Sequence, residues 1–295
     1  MKQPATDEVV TTTTLLKRLL AVKLMHLRRA KGLSQKEAGD MVGLGQPGIA
    51  KYETASTQPP EGRLKLLLRA YDATDELDFY LDLLAKATGP RKSVEIPKDL
   101  RLADKLHIFL DLERGAETVR GFSTTIIGGL FQCPEYSDAL HRHQSPYATD
   151  QEIRSWTDLR MSRQQILDGT ESAPEVVGIL DEAVLHRKVG GDLAISAQLD
   201  YLVSLAQQPR VSIRVVPFEA GAHVGLYGPF VLMGFPLDPE GVASVVYKEG
   251  PLVGQIIDEE DGLARYSAIA DDLLEVALPE GDSISLIKKI RGRYV

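Results

Sequence analysis

Residues 33–53 read LSQKEAGDMVGLGQPGIAKYE, which is the pattern of two short helices joined by a glycine turn. Ser34 and Glu37 form a capping box, because each side chain can satisfy a free backbone amide of the other residue. The first helix is therefore predicted to start at Ser34 or at the residue after it. It ends before Gly43, since glycine takes the left-handed conformation that closes a helix at little cost. A second helix is predicted to end at Glu53.

The second helix is predicted to start at Gln46 or Pro47, and it has an inward and an outward face. Ile49 and Tyr52 point inward at helical spacing. The outward residues are Gln46, Pro47, Gly48 and Lys51. In a helix-turn-helix this outward surface enters the major groove of DNA, and a small residue such as Gly39 lets the two helices cross closely. Pairs of short amphipathic helices also occur in proteins that do not bind DNA, so the pattern alone leaves both alternatives open.

Apolar stripes on both sides of this pair predict further helices. The stripes are Leu16, Leu20, Leu24 and Leu27 before the pair, and Leu64, Leu67, Leu68 and Tyr71 after it. Another helix is predicted from Thr74 to Ala87, with its leucines on one face. Residues 13–88 are therefore expected to form an all-α bundle of about five helices around the helix-turn-helix.

Charge is distributed unevenly along the chain. Residues 13–71 contain eleven Lys and Arg residues but four Asp and Glu residues, a net charge of +7, whereas the whole chain carries −8. A basic segment within an acidic protein is expected of a DNA-binding domain, because cationic side chains neutralise phosphates. The alternative, that these residues only solubilise helix surfaces, would predict a more even distribution.

The segment from Leu24 to Ala55 resembles the Xre/Cro-type helix-turn-helix family. The matching residues include Leu27-Arg28-Arg29, Gly32-Leu33-Ser34-Gln35, Ala38, Gly43, Gln46, Ile49 and Tyr52-Glu53. The resemblance implies that Gln46, Pro47 and Lys51 read base edges and that Gln35 contacts a phosphate. Gln46 suits the edge of an adenine and Lys51 that of a guanine. The further phosphate candidates are Arg28, Lys36, Thr54 and Ser56.

Two departures from the family pattern affect DNA recognition. Gly45 stands where the family has a Ser or Thr cap, and Pro47-Gly48 replaces two side chains that normally reach DNA. Proline is acceptable at the first helical position, but glycine offers no contact. Sequence readout is therefore expected to rest on few side chains, and affinity on phosphate contacts and dimerisation.

The length of 295 residues exceeds what a small helical bundle needs, so at least one further domain is expected. We expect a flexible tail at 1–12 and a connector at 89–98, where prolines and basic residues interrupt helical periodicity. The second domain then spans 99–295. No apolar run is long enough to cross a membrane and no secretory signal is visible, so a cytoplasmic location is expected.

The single cysteine, Cys133, excludes an intrachain disulfide framework and a cysteine-rich zinc site, and a buried thiol is expected. His141 and His143 lie two residues apart on a predicted helix, which points their side chains apart, unlike a helical metal pair. We expect neither a metal nor a cofactor.

Helix and strand patterns alternate in the second domain. A helix is predicted at 100–119, and Leu102, Leu106, Phe109, Leu110 and Leu112 are its expected buried residues. Strands are predicted at 175–185, 211–217, 229–235, 242–249 and 252–257. Further helices are predicted at 193–207, 259–277 and 283–291. This order indicates an α+β domain with a small mixed sheet.

Three segments of this domain resemble the carboxy-terminal domain of WhiJ-type actinomycete regulators, a domain without an assigned biochemical function. They are residues 111–140, 180–191 and 211–236, and the resemblance extends over about residues 99–291. Gly128 and the sequence Cys133-Pro134-Glu135-Tyr136 depart from the family pattern. The resemblance implies a regulator of development or antibiotic production whose second domain receives a small-molecule effector or a small acidic partner protein.

Two groups of residues are candidates for a catalytic or ligand-binding site. Asp181-Glu182 follows a predicted strand, and paired catalytic carboxylates are one alternative. A turn, or pairing with a base such as Arg187, is favoured, because consecutive strand residues point to opposite sides. The loop 220–229, AGAHVGLYGP, lacks the Lys-Ser/Thr of a phosphate-binding loop. It is a structured loop or the lining of a pocket, with His223, Leu226 and Tyr227 as ligand or partner candidates.

The favoured function is that of a sequence-specific, DNA-binding transcriptional regulator, a homodimer and a repressor, with no enzymatic activity. One alternative is an antitoxin-like adaptor that sequesters a small partner protein and autoregulates its own operon. A weaker alternative is a small-molecule hydrolase fused to a DNA-binding domain. No combination of nucleophile and base in the sequence supports this last alternative.

Overall fold

The computed structural model describes residues 13–89, 106–167, 173–235, 244–250 and 254–294. The described chain forms two compact units, one up to Gly89 and one from Leu106 onward. The predicted tail at 1–12 and residues 90–98 of the predicted connector lie outside the described residues. So do residues 100–105 of the predicted helix at 100–119.

The amino-terminal unit is a bundle of five helices, as the apolar stripes predict. The helices are α1 (Thr13–Ala30), α2 (Gln35–Met41), α3 (Gln46–Glu53), α4 (Glu61–Ala70) and α5 (Leu77–Thr88). A 3-10 turn at Thr74–Glu76 precedes α5, so this helix begins later than the predicted Thr74. Helix α1 packs against α3 and α5, and α2 packs against α3. The largest fully buried side chains of this unit include Leu20, Leu24, Ile49, Leu64, Leu67, Leu68 and Tyr80.

The capping box and the glycine turn are present. The Glu37 backbone N–H donates to Ser34 Oγ (3.2 Å), and the Ser34 backbone N–H donates to Glu37 Oε2 (2.8 Å). Gly43 has a φ of +67°, the left-handed conformation that the sequence predicts. A Cβ at Gly39 would lie 2.6 Å from the carbonyl oxygen of Leu44. The small residue is therefore required by the turn, rather than by α3 itself.

The carboxy-terminal unit has a six-stranded mixed sheet, which confirms the predicted α+β class. The strands are β1 (Thr118–Ser123), β2 (Glu175–Asp181), β3 (Val211–Val216), β4 (Phe230–Gly234), β5 (Ser244–Lys248) and β6 (Gln255–Ile257). Their order is β3-β2-β1-β4-β5-β6. Strand β2 pairs in parallel with β1 and with β3. The pairs β1–β4, β4–β5 and β5–β6 are antiparallel.

Helices cover both faces of this sheet. They are α6 (Leu106–Arg114), α7 (Pro134–Gln144), α8 (Asp150–Arg163), α9 (Glu182–His186), α10 (Gly191–Leu205), α11 (Glu260–Val276) and α12 (Glu280–Arg291). On one face, Phe122, Phe230 and Val246 pack with Leu273 of α11 in a buried apolar cluster. On the other face, Phe109 of α6 stacks on Tyr247 of β5 with ring centroids 4.3 Å apart.

Two predicted elements of this unit extend beyond the ends that the structure shows. The predicted helix at 100–119 ends at Arg114, and the central strand β1 begins at Thr118. The predicted strand at 175–185 ends at Asp181, because the Asp181 side chain accepts a hydrogen bond from the Ala183 backbone N–H (2.8 Å) and caps the short helix α9. Both boundaries fall at short polar segments, residues 113–118 and Asp181-Glu182, which do not by themselves distinguish the end of an element from its solvent-facing side.

Among the described residues, no helix is both long enough and apolar enough to cross a membrane.

Candidate functional site

The second helix of the motif, α3, presents the predicted base-reading residues to solvent. Gln46, Pro47 and Lys51 are exposed, whereas Ile49 and Glu53 are buried. Helix α3 has Gly45 as its N-cap, with no side-chain hydrogen bond to the cap. The amino-terminal turn of the helix is therefore open on its outer side, where a major-groove reader needs accessible side chains.

Three of the predicted phosphate-contacting residues are also at the surface. Lys36 is exposed, and its Nζ lies 2.9 Å from Asp40 Oδ2 in an ion pair one helical turn apart. Thr54 and Ser56 are exposed and share a hydrogen bond of 2.9 Å between their hydroxyl oxygens. An exposed ion pair of this kind contributes little to stability, so Lys36 can exchange Asp40 for a phosphate at small cost.

Arg28 is placed differently from the phosphate contact that the sequence predicts. Its side chain is buried, and Nε and Nη2 donate to Glu53 Oε1 and Oε2 at 2.6 and 3.0 Å. A third bond runs from Nη1 to the carbonyl oxygen of Leu33 (2.5 Å). The pKa of Arg28 is raised, chiefly by the hydrogen bond with Glu53. Its donors are directed into the bundle, so we assign Arg28 a structural role.

Gln35 belongs to the same cluster. It is half-buried, and its Nε2 donates to Glu53 Oε2 at 2.9 Å. Glu53 therefore receives hydrogen bonds from α1 and from the start of α2. We call Arg28, Gln35 and Glu53 the Glu53 cluster.

The helical spacing of Arg28 and Glu53 is a signal in the sequence for this cluster, although it was not part of the prediction above. Glu53 follows the buried Ile49 by four residues, and Arg28 follows the buried Leu24 by four residues. Residues four apart lie on the same face of a helix. A carboxylate and a guanidinium that both fall on inward faces are expected to pair, because an unpaired buried charge is costly.

The candidate residues of loop 220–229 do not act as one group. The His223 side chain is buried: Nδ1 accepts from the Gly225 backbone N–H (3.2 Å), and Nε2 lies 3.4 Å from Asp181 Oδ2. Leu226 and Tyr227 are exposed, with 66% and 82% of their surface accessible. His223 thus stabilises the loop, while the two apolar side chains face solvent.

Asp181 and Glu182 point to different partners, in agreement with the turn that the sequence favours. Glu182 Oε1 lies 3.1 Å from His186 Nε2, and Glu182 Oε2 accepts from the Phe218 backbone N–H (2.9 Å). The suggested partner Arg187 is wrong, since its Nε donates to the Thr125 carbonyl oxygen (2.7 Å). Paired catalytic carboxylates would need to converge on one reacting atom, and these two carboxylates do not.

The two histidines of α7 also lie in different environments. His141 is buried against Trp156, with ring centroids 5.7 Å apart, whereas His143 is exposed and bonds to the Ala139 carbonyl oxygen (2.8 Å). Cys133 is buried as predicted, and burial raises the pKa of its thiol to about 11. A thiol with this pKa stays protonated and unreactive near neutral pH.

Comparison with known families gives two matches. Residues 19–78 match a helix-turn-helix domain, which indicates a DNA-binding regulator. No solved structure matches the chain. Residues 106–289 match the domain of unknown function DUF5753, and this match covers more than half of the chain. The protein therefore belongs to the DUF5753 family and carries a helix-turn-helix domain at its amino-terminal end.

Proposed function

We propose that this protein is a sequence-specific transcriptional regulator of the Xre/Cro type and not an enzyme. It represses genes of development or secondary metabolism, in the manner of the WhiJ-type actinomycete regulators. Its DUF5753 domain adjusts this activity in response to a small molecule or a small acidic protein. The observation that carries the proposal is the outward face of α3, where Gln46, Pro47 and Lys51 are exposed on a basic domain.

The protein is proposed to bind DNA as a homodimer in the cytoplasm. A single recognition helix of eight residues, with a proline and a glycine in its first turn, offers few side chains for readout. Two copies on an inverted repeat, with half-sites about one helical turn apart, would double the number of contacts. Light scattering of the purified protein, alone and with duplex DNA, measures this stoichiometry.

The base-reading role is tested with Gln46→Ala. Gln46 is exposed at the start of α3, and an amide side chain can form two hydrogen bonds with an adenine edge. We expect the variant to lose about 1 to 3 kcal/mol of binding free energy on the operator and almost nothing on a scrambled duplex. Fluorescence anisotropy with DNA from the protein's own promoter measures both. Equal losses on the two duplexes would contradict base reading by Gln46.

The phosphate role is tested with Lys36→Ala, for which Lys86→Ala is a matched control. Both lysines are exposed and pair with an aspartate one turn away on their own helix, at 2.9 Å for Lys36 and 2.7 Å for Lys86. Lys36 lies on the motif, whereas Lys86 lies on α5. Lys36→Ala is expected to lower the slope of log affinity against log salt by about one, since one phosphate contact is lost. A change of similar size in both variants would reject a specific contact at Lys36.

An adaptor function is the second candidate, and the exposed Leu226 and Tyr227 favour it. Exposed apolar side chains often mark protein-binding surfaces. Binding that is equally weak on promoter and scrambled DNA would shift the proposal to this alternative. A promoter preference of about a thousandfold or more would support the regulator.

A further inference from the structure

A cavity of about 370 Å³ lies within the carboxy-terminal unit, between the sheet and the helices α6 and α8. Small-molecule sites in proteins usually measure about 300 to 1,000 Å³, so the cavity has the size of a compact ligand. Most of its lining is apolar. The lining side chains from the helices include Phe109, Leu110, Trp156 and Leu159.

Gly121 of β1 lines the cavity, and it is paired with Gly178 of β2 in the sheet. The Phe131 ring covers Gly178, where an added Cβ would lie 2.7 Å from Phe131 Cζ. At Gly121 the nearest atom to an added Cβ would be 4.0 Å away. This is an ordinary contact distance, so Gly121 is covered less closely than Gly178, and a branched side chain at Gly121 would reduce the space of the cavity beside Phe131.

Two arginines of α8 line the cavity, and they differ in their partners. Arg163 is neutralised by the buried Glu113, with Nε and Nη2 donating to its two carboxylate oxygens at 2.8 and 2.9 Å. Arg160 donates Nη1 to a neutral acceptor, Gln132 Oε1, at 2.6 Å. Among the described residues, no carboxylate oxygen lies within 4.0 Å of the Arg160 guanidinium nitrogens. Glu249, at the exposed rim, is the remaining charged residue of the lining.

The position of Arg160 is held by a buried network of amides. Gln132 has no accessible surface, and its Nε2 donates to the Ile127 carbonyl oxygen (2.6 Å). Gln164 donates to the Gln132 carbonyl oxygen, also at 2.6 Å. Desolvation lowers the pKa of Arg160 to about 10, so it stays charged at neutral pH. Glu249 and Glu113 act on the pKa of Arg160 in the opposite direction, but neither forms an ion pair with it. A half-buried guanidinium that is held in place without an ion pair favours the binding of an anion, because little ordering remains to be done on binding.

We propose that this cavity binds a small molecule that carries one carboxylate on a compact apolar body. The carboxylate accepts hydrogen bonds from the Arg160 guanidinium, and the apolar body lies between Trp156 and Gly121, which both line the cavity. A carboxylate fits better than a phosphate, since one guanidinium lacks an anionic partner and Glu249 at the rim repels a doubly charged ligand. Binding of the ligand does not depend on the proposed function. Only the effect of the ligand on gene regulation rests on the proposed function.

The test uses the full-length protein without DNA and the probes cyclohexylacetate and its neutral analogue cyclohexylacetamide. Trp156 is the single tryptophan of the chain and lines the cavity, so its emission reports the site. We expect cyclohexylacetate to change this emission and to bind more tightly than the amide in calorimetric titrations. Arg160→Gln should weaken binding of the carboxylate about 10- to 100-fold, as expected for a lost charged hydrogen bond. The control Arg154→Gln, an exposed arginine of the same helix, should leave binding unchanged.

Gly121→Val supplies a second test. It keeps Arg160 and narrows the cavity beside Phe131, so it should also weaken binding. Equal affinities for the carboxylate and the amide would overturn the proposal. So would full binding by Arg160→Gln or Gly121→Val, or the absence of binding to the wild-type protein. Tighter binding of cyclohexyl phosphate than of cyclohexylacetate would replace the carboxylate class by phosphate. These titrations contain no DNA, so a failed DNA-binding experiment and a failed ligand experiment are distinguishable.

Discussion

Glu53→Ala is expected to lower the free energy of unfolding of the helical unit by about 3 to 5 kcal/mol, the usual cost of removing one partner of a buried ion pair. The carboxylate of Glu53 receives hydrogen bonds from Arg28 Nε and Nη2 and from Gln35 Nε2. Without it, Arg28 remains buried with an uncompensated charge. The hydrogen bonds that connect α3 to α1 and to the start of α2 through this carboxylate would be lost together.

Urea unfolding of the full-length protein measures this effect. Trp156 lies in the carboxy-terminal unit, so its emission follows that unit, whereas circular dichroism follows the helices of both. The loss should appear in the dichroism transition and leave the tryptophan transition in place. The double variant Arg28→Met/Glu53→Leu should be more stable than Glu53→Ala, because apolar residues replace the whole pair. A loss below about 1 kcal/mol in Glu53→Ala would place the pair among ordinary surface ion pairs.

The same double variant also tests the structural role that we assign to Arg28. If Arg28 is structural, the salt slope of DNA binding by the folded double variant stays at the wild-type value. A slope lowered by about one would return Arg28 to the set of phosphate contacts.

The carboxy-terminal unit is expected to lose stability in mild acid because of His141. This side chain is 7% exposed, and its Nε2 has no hydrogen-bond partner among the described residues. Burial lowers the pKa of His141 to about 4, and the charge of Arg160 acts in the same direction, while Asp138 opposes it. The unfolded chain binds a proton near pH 6.5, the ordinary value for histidine.

The sign follows from proton binding. Well above pH 6.5, His141 is neutral in both states and does not change the stability. As the pH falls from about 6.5 towards 4, the unfolded state binds the proton first, so the free energy of unfolding decreases. The full difference in pKa corresponds to about 3 kcal/mol, of which about 2 kcal/mol is lost at pH 5.

His141→Phe keeps an aromatic ring beside Trp156 and removes the titrating group. His143→Phe is the matched control, since His143 is exposed on the same helix. Urea unfolding at pH 8 and pH 5, followed by Trp156 emission, should show a smaller acid loss for His141→Phe than for the wild type. His143→Phe should retain the wild-type loss. Equal acid losses in all three proteins would assign the sensitivity to other groups.

Local signals in the sequence predicted most of the amino-terminal unit. The capping box of Ser34 and Glu37, the left-handed Gly43 and the leucine stripes involve residues close together in the chain. Each can be evaluated from spacing and backbone preference. The predicted outward face of α3 follows from the same periodicity, and Gln46, Pro47 and Lys51 are exposed as that periodicity requires.

The sequence was less informative where contacts join distant residues. Strand β1 was missed because Gly121 and Arg120 interrupt its apolar pattern, and it is stabilised by hydrogen bonds to β2 and β4 on its two sides. These strands lie more than fifty residues further along the chain. Backbone pairing over such distances leaves no fixed spacing in the sequence of a single strand.

The sequence by itself therefore determined the five helices, the α+β class of the second domain and the basic character of the first, because these properties are local or additive. Only the tertiary structure decided that Arg28 turns inward to Glu53 and that Arg160 borders a cavity. Both arginines are ordinary helical residues in the sequence. Whether a guanidinium is paired, buried or left without a counter-ion depends on which distant side chains the fold brings to it.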